Sequence, residues 1–162
     1  MEKGIGFRRN IRLEWLDATA ALRGETDDVQ QIRERLETIV AIESRENRRM
    51  AIDILVNIWV KSADRYPRLH HEAVAVYRET SAPSDRLWLH YGLTILTYPF
   101  FRLGGVTIGQ LSRYSETVTP KDIKKRMVAE IGELGALDKA VERIIFSLRD
   151  WGLLTETTQR YA

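Results

Sequence analysis

The sequence predicts an all-helical fold: a helical bundle carrying a C-terminal winged helix-turn-helix-like subdomain. Three observations lead there. Apolar residues recur at three- and four-residue spacing through nearly every segment. Glycine and proline are few, ten and four, and they punctuate the chain instead of filling it. Near the end, "VERIIFSLRDWGLL" (141–154) runs a helical stripe into a Trp-Gly corner and then a leucine pair.

Taken in order, a first helix is expected over 7–23. Phe7, Ile11, Trp15, Ala18 and Leu22 share its face, Arg8, Arg9 and Arg12 lie beside it, and Gly24 is placed to close it. Asp27 and Asp28 suit the positive start of a second helix, whose stripe is Val29, Ile32, Leu36, Ile39 and Val40. Ser44 can cap a third, running to about residue 65. Its apolar residues lie on more than one side, as in a central element. Pro67 fits the first turn of a fourth, where no amide donor is needed. Leu69, Ala73, Val76 and Tyr77 give that helix an inward face.

"SAPSD" (81–85) is predicted as a turn with Ser84 as cap. The helix after it, 85–98, is apolar almost all round and is predicted to form the middle of the protein, with Pro99 ending it. Gly104 and Gly105 are predicted as a flexible joint. The joint divides a bundle (1–103) from the C-terminal subdomain (104–162).

Three shorter helices follow. The first is expected over 107–114, with Ile108 and Leu111 inward. The second lies within 118–135, with Thr119 as cap, Pro120 at the first position and Asp122 placed for a reciprocal capping contact. Ile123, Met127, Val128 and Ile131 should face the core, and Gly132 and Gly135 should end the helix. The third is expected to be capped by Asp138, with Val141, Ile144, Ile145, Leu148 and Trp151 in one stripe. Lys139, Arg143 and Arg149 lie off that stripe. Gly152 lets the chain reverse, and Leu153, Leu154 and "TETTQ" (155–159) predict a strand that would form the wing.

Composition bounds the function. A chain of 162 residues with 44% apolar and 30% charged content makes one domain, or two subdomains sharing a core. Without cysteine there is no disulfide framework, thiolate catalysis or Cys-ligated metal, which fits a reducing cytoplasm. No signal peptide is expected, because 4–12 is basic and lacks an apolar centre. The longest uncharged run, 87–101, is too short to span a bilayer comfortably.

Enzyme signals are poor. No nucleophile, base and orienter stand together. His70, His71 and Glu72 are neighbours, so on a helix they point apart. His90 is expected as a hydrogen-bonded core histidine. Trp15, Trp59, Trp88 and Trp151 are all expected in the core. "RLGGVTIGQL" (102–111) lacks the phosphate-loop ending. Glu14 with Asp17, and Glu43 with Glu46, suit ion pairing better than a metal. No cofactor and no metal are expected.

Net charge is only +2, but the cations gather. Arg8, Arg9 and Arg12 form one group, and Arg45, Arg48 and Arg49 a second. Lys121, Lys124, Lys125 and Arg126 form the third. A helix-turn-helix holds its second helix against a duplex, with residues near that helix's start reaching bases and flanking cations reaching phosphates. Here Leu137, Asp138, Lys139, Glu142 and Arg143 would approach the groove, and Lys121, Lys124 and Lys125 the backbone. That geometry requires Lys124 and Arg143 to share an outward plane. Asp138, Glu142, Glu130 and Glu133 offset part of the charge, which keeps a second reading open: a helical adaptor that docks other proteins.

From Ile32 to Leu154 the chain resembles the BrxA proteins, small components of bacterial BREX bacteriophage-exclusion systems. The resemblance lies in "ESRENRR" (43–49), "DRLWLHYGLTILTYPFF" (85–101) and "VERIIFSLRDWGLL" (141–154). It implies an all-helical protein with a body similar to the antitermination factor NusB. It also implies double-stranded DNA binding without catalysis, and other proteins of a defence assembly as partners. Arg45, Arg48 and Arg49 match the basic opening of the long helix, and Lys139, Arg143 and Arg149 the terminal one. RNA binding by the body stays open, since phosphate contacts do not distinguish the two polymers.

Overall fold

The computed structural model describes residues 5–157. All regular structure among them is helical. The helices are α1 (Leu13–Glu25), α2 (Val29–Ile39), α3, α4 (Pro67–Glu79), α5 (Pro83–Thr97), α6 (Pro99–Leu111), α7 (Pro120–Ile131) and α8 (Leu137–Asp150). Helix α3 runs from Arg45–Val56 through a π-helical turn, Asn57–Lys61, into Ser62–Arg65.

Helix α3 is the centre of the bundle. Ala51, Ile52, Ile54, Leu55 and Val56 are all buried, and so are Ile58, Trp59 and Val60 in the wider π turn. Three consecutive buried residues need neighbours on several sides, and α1, α4 and α5 supply them. Trp59 is fully buried, and its indole N–H donates to Nδ1 of buried His90 at 3.0 Å. His90 Nδ1 therefore accepts, so the neutral ring carries its proton on Nε2 and donates to Asp17 Oδ1 at 2.7 Å. The expectation of a hydrogen-bonded core histidine holds.

Several helix ends follow local sequence chemistry. Asp28 caps α2 through the amides of Gln30 and Gln31, and Ser44 caps α3 through that of Asn47. Thr119 and Asp122 form the reciprocal capping box, and Pro67 and Pro120 open their helices.

The differences have physical causes. Helix α1 begins at Leu13, not at residue 7, although Phe7 and Ile11 are both fully buried. The amide and carbonyl of Ile11 are engaged by Ser147 and Trp151 of the chain's other end, so they are not available to a helix. Gly24 lies within the last turn, and Thr26 follows as the C-cap. Pro99 ends α5 as expected, but it also opens α6, with Tyr98 between them as the cap of both.

No hinge exists at Gly104 and Gly105, because both lie inside α6. A Cβ on Gly104 would come within 2.8 Å of Ile144 Cδ1, and one on Gly105 within 2.8 Å of the Tyr91 hydroxyl. These glycines permit close helix packing. One apolar cluster runs from Phe7 to Trp151 on both sides of this point.

Ser84 is not a cap, since Pro83 starts α5 one residue earlier and Ala82 is the N-cap. Asp138 is not one either. Ala136, at φ 63°, holds the N-cap position of α8 and Leu137 is already helical. Helix α5 buries His90, Leu93 and Thr94 and half-buries Leu87, Leu89, Tyr91 and Ile95, but Trp88 is 61% exposed, edge-on to Tyr91. Leu69, Val76 and Ile131, expected inward, are also exposed.

The Trp-Gly corner is a Schellman ending. Gly152 has φ 82°, its amide donates to Arg149, and the Leu153 amide reaches back to the Leu148 carbonyl at 2.9 Å. That bond, and a second from Leu154 to the same carbonyl, turn the leucines onto the helix end. They form no strand, and no strand occurs among the described residues. Residues 158–159 of the expected wing lie outside the described residues.

Helices α6, α7 and α8 each touch the other two. Among the described residues, no helix is long and apolar enough to cross a membrane.

Candidate nucleic-acid interface

The outward face of α8 carries the cations expected of it. Its buried stripe is Leu137, Ala140, Val141, Ile144, Ser147 and Leu148. On the other side, Lys139, Glu142, Arg143 and Phe146 recur at helical spacing. Phe146, half-buried among these polar residues, was not singled out by the sequence analysis. An aromatic three residues from Arg143 and off the buried stripe was the available signal.

What the sequence did not show is the partner of this face. The N-terminal segment is laid along the edge of this face, near the end of α8, by three long-range hydrogen bonds. Ile11 N–H donates to Ser147 Oγ at 3.2 Å, and Trp151 Nε1–H donates to the Ile11 carbonyl at 2.8 Å. The Leu13 amide donates to Asp150 Oδ2 at 2.7 Å. Arg12, the N-cap of α1, has no side-chain cap bond of its own, so the carboxylate of Asp150 caps α1 from a distance. An acidic group at a helix N-terminus is also favoured by the helix dipole.

This zipper brings Arg8, Arg9 and Arg12 next to Arg143. An open cleft of about 570 Å³ is lined by Arg9, Asn10, Arg12, Asn47, Arg143 and Phe146. A second, of about 520 Å³, is lined by Asn10, Lys139, Glu142, Arg143, Phe146 and Arg149. Shared Asn10, Arg143 and Phe146 join the two into one groove, with Arg143 at its middle.

The charges in the groove are crowded. Burial, and then the charge of Arg9, push the Arg143 guanidinium below its ordinary pKa; Glu142 opposes them, and Arg8 adds a lesser lowering effect. Arg9 donates to Asn47 Oδ1 at 2.6 Å and to the Arg8 carbonyl at 2.7 Å, but its buried Nε has no acceptor. Arg12 lies 5.8 Å from the Phe146 ring centre and only loosely meets Asp150, at 3.9 Å. Arg149 is paired with Glu156 at 2.6 Å. Among the described residues, Arg8, Lys139 and Arg143 make no ion pair.

The other basic stretches stand elsewhere. Lys124 is bonded to Asp138 at 2.5 Å. Asp138 and Arg143 are five residues apart, about 140° around α8, so Lys124 and Arg143 do not share one plane. Lys121 is exposed and follows Pro120, a groove-lining residue, while Lys125 is exposed without a role in the groove. On α3, Arg48 is committed to Glu37 at 2.7 Å and to the Ile42 carbonyl at 3.0 Å. Arg45 and Arg49 are exposed, each about 160° around that helix from groove-lining Asn47.

His70 is buried and its Nε2 donates to the Trp59 carbonyl at 2.6 Å, so it packs and does not chelate. Among the described residues, no group of three or more His, Asp or Glu is arranged to hold a metal ion. No family model, curated protein or solved structure matches this chain.

Proposed function

We propose that this chain is a non-catalytic protein that binds double-stranded DNA through the arginine groove. The observation that carries the reading is the crowding of Arg8, Arg9, Arg12 and Arg143 with few carboxylates to answer them. Like charges held together in a partly desolvated groove are unfavourable until an anion arrives, and they focus a positive field at its mouth. Arginine forks suit phosphate oxygens.

In this reading α8 is the recognition helix of the α6–α7–α8 unit. An α-helix is about 10–12 Å wide with its side chains, which matches the major groove of B-form DNA at about 12 Å. The deep, narrow major groove of A-form RNA does not admit such a helix, which favours DNA. The duplex contacts would come from α8 and the N-terminal arginines beside it, in place of the α7 lysines and a wing, next to a NusB-like body. The resemblance to BrxA proteins extends the proposal to a cytoplasmic phage-defence assembly, whose other proteins would meet the remaining surfaces.

The second reading, a protein adaptor, is supported by exposed Trp88, Val106, Ile131 and Leu134. Fluorescence anisotropy with a labelled duplex, across a salt series, separates the two. DNA binding through the groove predicts affinity that falls steeply with salt. The double variant Arg8→Glu with Arg143→Glu should then bind about a hundredfold more weakly or worse, since each lost charged contact is worth about 1.5–3 kcal/mol. Absence of salt-sensitive binding in the parent protein would favour the adaptor.

A further inference from the structure

A second arginine pair lies at the other end of α1. Arg23, in its last turn, and Arg78 of α4 line a cavity of about 450 Å³ together with His70 and His71. The site is eleven residues along α1 from Arg12, about 16 Å, so it is separate from the groove. Arg78 lies against Gly24 and donates to its carbonyl. A Cβ on Gly24 would approach Arg78 Nε to 3.3 Å, so glycine there gives the guanidinium its seat.

Arg23 is poorly satisfied where it stands. Its side chain is 17% exposed, and its buried Nε has no acceptor. Burial, and then the charge of Arg78, lower its pKa from the ordinary value. The carboxylate that meets it, Asp27, is 90% exposed and sits just beyond the helix end. A surface carboxylate on a partly buried guanidinium occupies the place of an anion that binds better. Two guanidinium groups lining one cavity, Arg23 and Arg78, suit an acceptor-rich group there. Pro67 and Val74 give it an apolar wall, and its volume lies within the range of small-molecule sites.

We infer that this cavity binds the phosphoryl group of a small phosphate monoester. Arg23 and Arg78 hold the phosphoryl oxygens, Asp27 swings out, and the body of the ligand lies on the apolar wall. His70 and His71 line the same cavity and report on it. The chain has three histidines, and the third, His90, is sealed in the core between Trp59 and Asp17.

Proton NMR of the histidine rings tests this on the full chain, at constant ionic strength and with sodium phosphate and AMP as probes. AMP should move the His70 and His71 signals, leave His90 in place, and bind more tightly than inorganic phosphate. Arg78→Gln, at an exposed position, should weaken AMP binding about tenfold or more while leaving duplex DNA affinity unchanged. Arg8→Glu with Arg143→Glu should do the reverse, which keeps the test independent of the DNA reading. Three results would overturn the inference: no movement of the His70 and His71 signals, AMP binding no better than phosphate, or unaltered AMP binding by both Arg78→Gln and Arg23→Gln.

Discussion

Two of the chain's collections of cations, the α7 lysines and the arginine groove, differ in how they are made. The lysines of α7 are neighbours in sequence, yet the fold does not gather them into the groove. Lys124 is neutralised by Asp138, and Lys125 is exposed. The arginine groove joins residues 8–12 to residue 143, and the fold concentrates them until Arg143 feels both Arg8 and Arg9. Charge density along a sequence is therefore a poor guide to the field a surface presents. What counts is whether the cations are held close together, away from carboxylates, where water screens them less.

The strongest way to break this comparison is to remove the anchor of the groove. Trp151 is 2% exposed, lies 5.4 Å from the Phe101 ring and bonds the Ile11 carbonyl. Trp151→Ala should cost about 3–5 kcal/mol, read by chemical denaturation. It should also weaken DNA binding under conditions where the variant is still folded, because residues 8–12 lose their fixed position. Full DNA affinity in a folded but destabilised Trp151→Ala protein would show that the N-terminal arginines need no anchor. The groove would then be incidental.

Much of the fold was legible in the sequence, because local chemistry decides helix ends. Asp28, Ser44, Pro67 and the Thr119–Asp122 box need only their own neighbours, so spacing reveals them. Features set by distant contacts were not legible. Gly104 reads as a joint until Ile144 is seen against it. The site divides in the same way. Lys139 and Arg143 were visible as off-stripe residues of one helix. Their meeting with Arg8 and Arg9 depends on hydrogen bonds that cross more than 130 residues, and no periodicity reports those.

Asp150 sharpens the comparison, because it is a carboxylate at the edge of the groove with a structural task. Asp150→Ala removes the cap of α1 and should cost about 1 kcal/mol. Asp150→Asn keeps an acceptor for the Leu13 amide and should recover most of that loss. Both variants delete a negative charge beside Arg12, so both should bind DNA more tightly at low salt than the parent. If Asp150→Asn binds DNA no better than the parent in anisotropy titrations, Arg12 does not belong to the DNA surface.

The smallest effect is expected on α7, and it is the most discriminating. Replacing Lys124 and Lys125 together by Gln removes two adjacent cations from the densest basic stretch in the sequence. If sequence density set the interface, the salt dependence of DNA binding should flatten by about two phosphate contacts, and affinity should fall with it. The structure leads to a different expectation. Lys124 already spends its charge on Asp138, and neither lysine lines the groove. The double variant should keep the parent's salt slope and lose no more than about threefold in affinity, the effect of a distant screened charge. A slope reduced by two would put the duplex across α7, and the arginine groove would have to give up its place as the principal contact.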